Sequence, residues 1–286
     1  MDEGAVKRPR PQLRHPPTVT RFRLLTSPLR VLPDFLVLGG MRCGTSSLYS
    51  YLREHPQILP GWTKEVHYLD RSFARGTGWY RARFPTWTGM LWHKLTHGGR
   101  ALTFEATPDY LVHPDGARRL ASIVRKAKLI VLLRDPADRA YSHYQFNCRI
   151  EREHHAFDKA IKREDKRLEG EREKMLSDES YRSRKYRHYS YVSRGMYVDQ
   201  LKAYERFFSR EQFLVLRSED LFEKTQETYD EILRFLELAP WRLQSTGSVN
   251  TGSYSREKPP GYEELCEFYA PHNQRLYDYL GRDLGW

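Results

Sequence analysis

The chain has little cysteine, no long apolar run and no internal repeat, and the first two shortages each remove a class of protein. Its 286 residues include three cysteines, Cys43, Cys148 and Cys266. They fall in no metal-ligand spacing and cannot all pair, so a reducing, cytoplasmic setting is expected in place of a disulfide-held one. No apolar stretch approaches the ~18 residues of a membrane span. The basic start of the chain runs into prolines and further arginines, not into the apolar segment of a signal peptide. A soluble protein with no transmembrane segment follows. The formal charge of +11 and a pI near 9.5 suggest an anionic partner. No nucleic-acid-binding motif accompanies that charge, so a nucleic-acid role is not expected. Nothing in the sequence speaks to oligomeric state.

Much of the charge is local. Lys7 and six arginines against Asp2 and Glu3 leave residues 1–30 with a net +5, among five prolines and no helical or strand period. This stretch reads as a flexible basic lead-in, with one domain over residues 31–286. Three short apolar runs read as buried strands: Phe35 to Leu38, Lys128 to Leu133, and Phe213 to Leu216. Helical patterns follow the first two, over Thr45 to Glu54 and Ala137 to Arg149, and helical spacing returns over Tyr262 to Leu280. Strands alternating with helices predict an α/β, three-layer fold with a central parallel sheet flanked by helices. The charged stretch at about 151–190 reads as a helical excursion, either simply solvated or rimming an acceptor cleft.

Behind the first strand stands Gly39-Gly40-Met41-Arg42-Cys43-Gly44-Thr45-Ser46-Ser47. The glycine spacing is that of a P-loop, G-x-x-x-x-G-K-[ST], whose backbone N–H groups wrap an anion at a helix N-terminus. The lysine is missing, because Thr45 stands in its place. In a nucleotide triphosphatase that lysine reaches the β- and γ-phosphates, so the loop is expected to hold a phosphate-like group other than a triphosphate tail, with Arg42 offering a cation. Cys43 reads as a small packing residue and not as a nucleophile.

Ligands of open α/β sheets lie beyond the carboxyl ends of the strands. Arg134, in Arg134-Asp135-Pro136, follows one such end, and Ser142 lies about two turns into the next helix, so the pair is a candidate second anion site. Lys64-Glu65-Val66-His67-Tyr68-Leu69-Asp70 follows the first helix. A glutamate between lysine and histidine can take a proton from an acceptor while the cations hold anions. Trp62, close by, is a candidate platform for a sugar ring. Three readings stay open on these grounds: a group-transfer enzyme without ATP chemistry, a nucleotide kinase or ATPase with an unusual loop that needs Mg²⁺, and a non-catalytic polyanion binder.

Taken together, Gly39 to Ser47, Lys64 to Asp70, Glu105-Ala106-Thr107-Pro108-Asp109-Tyr110, Arg134 to Tyr144, Ser193 to Tyr197 and Tyr269 to Trp286 resemble the sulfotransferases that use 3'-phosphoadenosine 5'-phosphosulfate. The resemblance is to the branch of heparan sulfate N-sulfotransferases and glucosaminyl 3-O-sulfotransferases, and covers roughly Pro33 to Trp286. It implies that Arg42, Cys43, Gly44, Thr45 and Ser46 hold the 5'-phosphosulfate and that Arg134 and Ser142 hold the 3'-phosphate, with Ser253 and Tyr254 in a covering loop. It implies Glu65 as catalytic base, with His67 and Asp70 lining the acceptor site; on the residues themselves Arg42 and His67 are expected to assist the chemistry, Lys64 and Trp62 to line the acceptor site, and no metal is expected. The implied acceptor is a saccharide hydroxyl or amine, with a lipid or a small alcohol or phenol as alternatives. Two positions depart from the pattern: Arg42 replaces a loop lysine, keeping the charge as a planar fork, and Ala106 replaces a lysine of the 3-O-enzymes.

Overall fold

In a computed structural model, residues 19–244 and 257–286 are described. Four parallel strands form one sheet: β1 (Phe35–Val37), β2 (Phe104–Ala106), β3 (Lys128–Leu133) and β4 (Phe213–Arg217), in the order β2-β1-β3-β4. β1 is central, with Val37 paired to Ala106 on one side and to Ile130 on the other. The chain leaves β1 to one side, returns, and continues on the other. The switch in direction lies between β1 and β3, which is where ligands of such sheets collect.

Alternation along the strands builds three layers. Phe35, Val37, Ile130 and Leu132 point to one face, where they pack on Leu48, Tyr51 and Leu52 of the helix Thr45–Glu54 and on Ile232 and Leu233 of the helix Thr225–Leu236. Leu36, Leu38, Leu129, Val131 and Leu133 point to the other, against Tyr197, Leu201 and Tyr204 of the helix Tyr197–Glu205. Both faces are covered, so these strands read as continuous apolar runs. The expected α/β, three-layer architecture is the observed one.

The boundaries differ in three places. β2 adds a strand on the far side of β1. The pattern over Tyr262 to Leu280 is a single 19-residue helix that runs through Pro271. The fold also starts earlier than residue 31: Arg21–Leu25 is helical and Ser27–Leu29 forms a 3₁₀ turn. The flexible lead-in assigned to residues 1–30 is corrected over this stretch, because its arginines are structural. Arg23 donates from Nε to the Ala82 carbonyl (2.6 Å), and Arg30 donates from Nη1 to that of Phe84 (2.8 Å). The excursion is a set of short helices, Phe157–Lys162, Glu164–Leu168, Glu171–Ser177 and Arg184–Tyr189. It is held by buried carboxylates and is not merely solvated: Glu164 accepts from the backbone N–H groups of Val192 and Ser193.

Candidate functional site

The loop between β1 and the helix Thr45–Glu54 is fixed from below, with Gly40 N–H bonded to the Leu132 carbonyl (2.8 Å). Gly44 starts the helix at φ 89°, and a Cβ there would lie 2.8 Å from the Phe222 ring, so glycine is required on both counts. The first N–H groups of that helix have no carbonyl within it. They face the carboxyl end of the sheet, where an anion suits them.

Of the residues assigned to this loop, Thr45 and Ser46 open the helix and Arg42 leaves the loop at φ 73°. Cys43 is corrected: its thiol is fully buried in the core, burial pushes it up to about 11, and its N–H is spent on the Gly40 carbonyl (3.1 Å). It packs the loop from beneath.

Lys64 brings an ammonium to the edge of the loop from another part of the chain. Its Nζ donates to Ser46 Oγ at 2.6 Å and to Glu65 Oε1 at 3.2 Å, so one ammonium joins the anion loop to the candidate base. The segment carrying it is laid across the end of β2: Ala106 N–H bonds the Lys64 carbonyl, Val66 N–H bonds Thr107 Oγ1 (3.2 Å), and Tyr68 N–H bonds the Tyr110 hydroxyl (2.7 Å). These clamps hold His67 in the left-handed region at φ 52° and turn its ring back onto Glu65.

A chain of charged groups results. His67 Nε2 lies 3.2 Å from Glu65 Oε2, and Nδ1 lies 2.9 Å from Asp70 Oδ2. Burial alone would push the imidazole down, but Asp70 and the hydrogen bond to Glu65 outweigh it and raise His67 to about 9. Burial likewise favours a protonated Glu65, yet His67 and Lys64 overcome it and hold the carboxyl at about 2. Asp109, deep in the site, is held well below the carboxylate range by Arg194, His67 and Arg71 against the effect of burial. His67, Asp70 and Asp109 bring ligand-type atoms within 4.8 Å of one another, and the guanidiniums of Arg71 and Arg194 balance the two carboxylates there.

The pairing of His67 with two carboxylates has a stability consequence. A histidine raised from 6.5 to about 9 on folding contributes stability that is fully present below pH 6.5 and lost as pH rises through 9. Thermal unfolding between pH 6.5 and 9.5 is expected to show Tm falling over this window, and His67→Gln is expected to flatten that limb. An equal slope in the variant would show that another group titrates there.

The two anion sites expected at separate places share a side chain. Arg42 Nε donates to Ser142 Oγ at 3.1 Å, and its guanidinium lies 5.3 Å from the Phe146 ring. Ser142, on the helix Pro136–Arg149, is buried beneath Arg42. Arg134 lies at the end of β3 as expected, with Nη2 3.5 Å from Asp138, a carboxylate that Lys258 and the Tyr262 hydroxyl also engage. Trp62 is exposed, with the Arg23 guanidinium 4.4 Å over its ring. Ser253 and Tyr254 fall outside the described residues.

Sequence reasoning assigned no role to Arg194, Asp109, Arg71 or Glu105. Arg194 is buried and donates from Nη1 to Asp109 Oδ1 (2.8 Å) and from Nε to Ser190 Oγ (2.6 Å). Glu105, fully buried on β2, accepts from Tyr80, Thr107 and Tyr110 hydroxyls and is pushed up to about 7 by burial despite those bonds. Glu105 and Asp109 fall in one of the segments that carry the family resemblance and Arg194 in another, but their contacts join positions far apart in sequence.

With this geometry in hand, likeness to known proteins is informative. Residues 32–251 match the sulfotransferase domain family. The membrane-associated sulfotransferase kil1 of Dictyostelium discoideum is 26% identical, with 90% of this chain and 67% of that protein aligned. Heparan sulfate glucosamine 3-O-sulfotransferase 3A1 of Mus musculus is also 26% identical, with 92% and 66% aligned. The chain thus spans about two thirds of the length of these relatives. A solved sulfotransferase from Alicyclobacillus acidocaldarius is 28% identical and superposes with a TM-score of 0.66, covering 89% of this chain and 98% of that one. The family match runs unbroken from before β1 to beyond β4, through the anion loop, the Lys64 to Asp70 segment and Arg134, and so the chain belongs to the sulfotransferase domain family.

Proposed function

We propose that the chain transfers a sulfonate group from 3'-phosphoadenosine 5'-phosphosulfate to a hydroxyl or amine of a saccharide. The observation that carries this reading is Lys64, whose ammonium touches both Ser46 of the anion loop and Glu65. A donor anion and an acceptor proton would meet at that point. The donor, when bound, supplies a sulfonate activated by its phosphate leaving group. The loop N–H groups, Arg42 and Lys64 bind the anionic end and stabilise charge that builds on the leaving oxygen. Arg134, once it turns from Asp138, supplies a cation for a further phosphate.

Glu65 takes the acceptor proton. At about 2 it is ionised at any working pH but weakly basic. An anion on the loop draws Lys64 toward itself and lessens its pull on Glu65, so the carboxylate becomes a better base when the donor side is filled. His67, with both ring nitrogens on carboxylates, orients Glu65 and keeps it charged. The saccharide acceptor is supported by relatives named for heparan sulfate. A cytoplasmic setting fits three cysteines that are all free. Among the described residues no helix is long and apolar enough to cross a membrane.

Isothermal titration with adenosine 3',5'-bisphosphate, and separately with ATP and Mg²⁺, tests the donor. Metal-independent binding of the bisphosphate, weakened by Arg134→Ala and by Arg42→Ala, is the expected result. Preference for ATP with Mg²⁺ would overturn the reading in favour of a kinase.

A further inference from the structure

The helix Trp87–His97 has no buried residue along its 11 positions. Trp92 is 70% exposed, Leu95 71% and Trp87 54%. The short helix Arg21–Leu25 and the turn after it show the same character, with Phe22 70% exposed, Leu25 81% and Leu29 54%. These two sets share one support. Arg23 and Arg30 bond the Ala82 and Phe84 carbonyls, Val31 N–H bonds the Pro85 carbonyl, and Arg30 bridges Thr86, the residue before Trp87. Large apolar side chains in such numbers on one region of a soluble domain mark an interaction surface.

Charge tells what it meets. Residues 4–33 and 71–104 contain no aspartate or glutamate, while they hold Lys7, Lys94 and eleven arginines. Four of these cations, Lys7, Arg8, Arg10 and Arg14, precede the Arg21–Leu25 helix directly in sequence. Outward tryptophan, phenylalanine and leucine on two helices that also carry the exposed cations Arg21 and Lys94, in segments with no acid of their own, match the interface of an anionic bilayer, where indoles sit at headgroup level and cations meet lipid phosphates. A protein partner of stated charge could use the cations, but it does not call for exposed indoles beside them.

We propose that this face docks the chain onto anionic membrane surfaces, with Trp87, Trp92 and Leu95 and with Phe22, Leu25 and Leu29 as the inserted side chains. It also adjoins the candidate site, because the Arg23 guanidinium that braces the first helix lies 4.4 Å over Trp62, two residues before Lys64. This inference stands independently of the reaction catalysed.

The test is flotation of the full chain with phosphatidylcholine vesicles, with and without phosphatidylserine, read alongside tryptophan fluorescence and sedimentation velocity. Expected are flotation only with the anionic vesicles, its loss at high salt, and a blue-shifted emission. Trp92→Glu with Leu95→Glu, and separately Phe22→Asp with Leu25→Asp, are each expected to cut partitioning about a hundredfold. Because these side chains are mostly exposed, Tm and binding of adenosine 3',5'-bisphosphate are expected to be unchanged. Unaltered flotation in both variants would overturn the proposal. So would a soluble dimer that the same substitutions dissociate and that ignores vesicles, which would make the face an interface between copies.

Discussion

Glu65→Gln is expected to lower kcat by about 10²- to 10⁴-fold, the range for loss of a positioned general base, while binding of adenosine 3',5'-bisphosphate stays within about twofold. The amide keeps the shape of the carboxylate and its one oxygen can still accept from Lys64 or from His67, though not from both, and it cannot take up a proton. Separating the two readouts is what makes the result specific. A fall in both would mean that the substitution had disturbed the loop through Lys64, whose ammonium sits 2.6 Å from Ser46. Unchanged kcat would remove Glu65 from the chemistry altogether. Lys64→Met sharpens the case, since without the ammonium the Glu65 carboxyl should titrate at higher pH. The acid limb of the kcat profile is then expected to move upward as the rate falls.

Arg194→Ala is expected to produce the largest loss of stability, about 3–5 kcal/mol, because it strips a buried pair of one partner. The Asp109 carboxylate, 12% exposed, would keep Arg71 and His67 but lose its 2.8 Å contact. Ser190 and the Tyr186 carbonyl would lose donors as well. In a domain of this size the loss corresponds to a fall in Tm of roughly 10 °C. Asp109→Ala in the same chain is expected to recover part of it, and thermal unfolding of the four members of that cycle measures the coupling. If the single arginine variant melts like the parent, the pair is not a structural clasp.

The legible parts of this protein were those written in neighbouring residues. β3 is six consecutive residues buried on both faces, Lys128 aside, and its apolar run stands out. The anion loop combines a strand, fixed glycine spacing and a helix start within about a dozen residues. β2 did not stand out, being three residues long with Glu105 at its centre, an acid that burial makes tolerable only through hydroxyls at positions 80, 107 and 110. Arg194 and Asp109 are 85 positions apart, and no local pattern signals such a pair. Ser142 was legible as a polar residue on the right helix, but not as the partner of Arg42, since a positive φ in the loop decides where that guanidinium goes. The Arg21–Leu25 helix was hidden by the prolines around it. Its anchoring depends on carbonyls some 60 residues downstream.

The placing of β1 at the centre of the sheet has a consequence for the chain as it is made. β1 is complete at residue 37, yet its neighbours begin at residues 104 and 128. A chain emerging from the ribosome carries Phe35, Leu36 and Val37 with no strand to pair for tens of residues, at roughly 5–20 residues per second. Pairings of such long sequence separation also close slowly after release. The first strand therefore spends seconds as an unshielded apolar segment. In a cell overproducing this protein, chaperone supply is expected to limit the soluble yield more than the strength of the finished core.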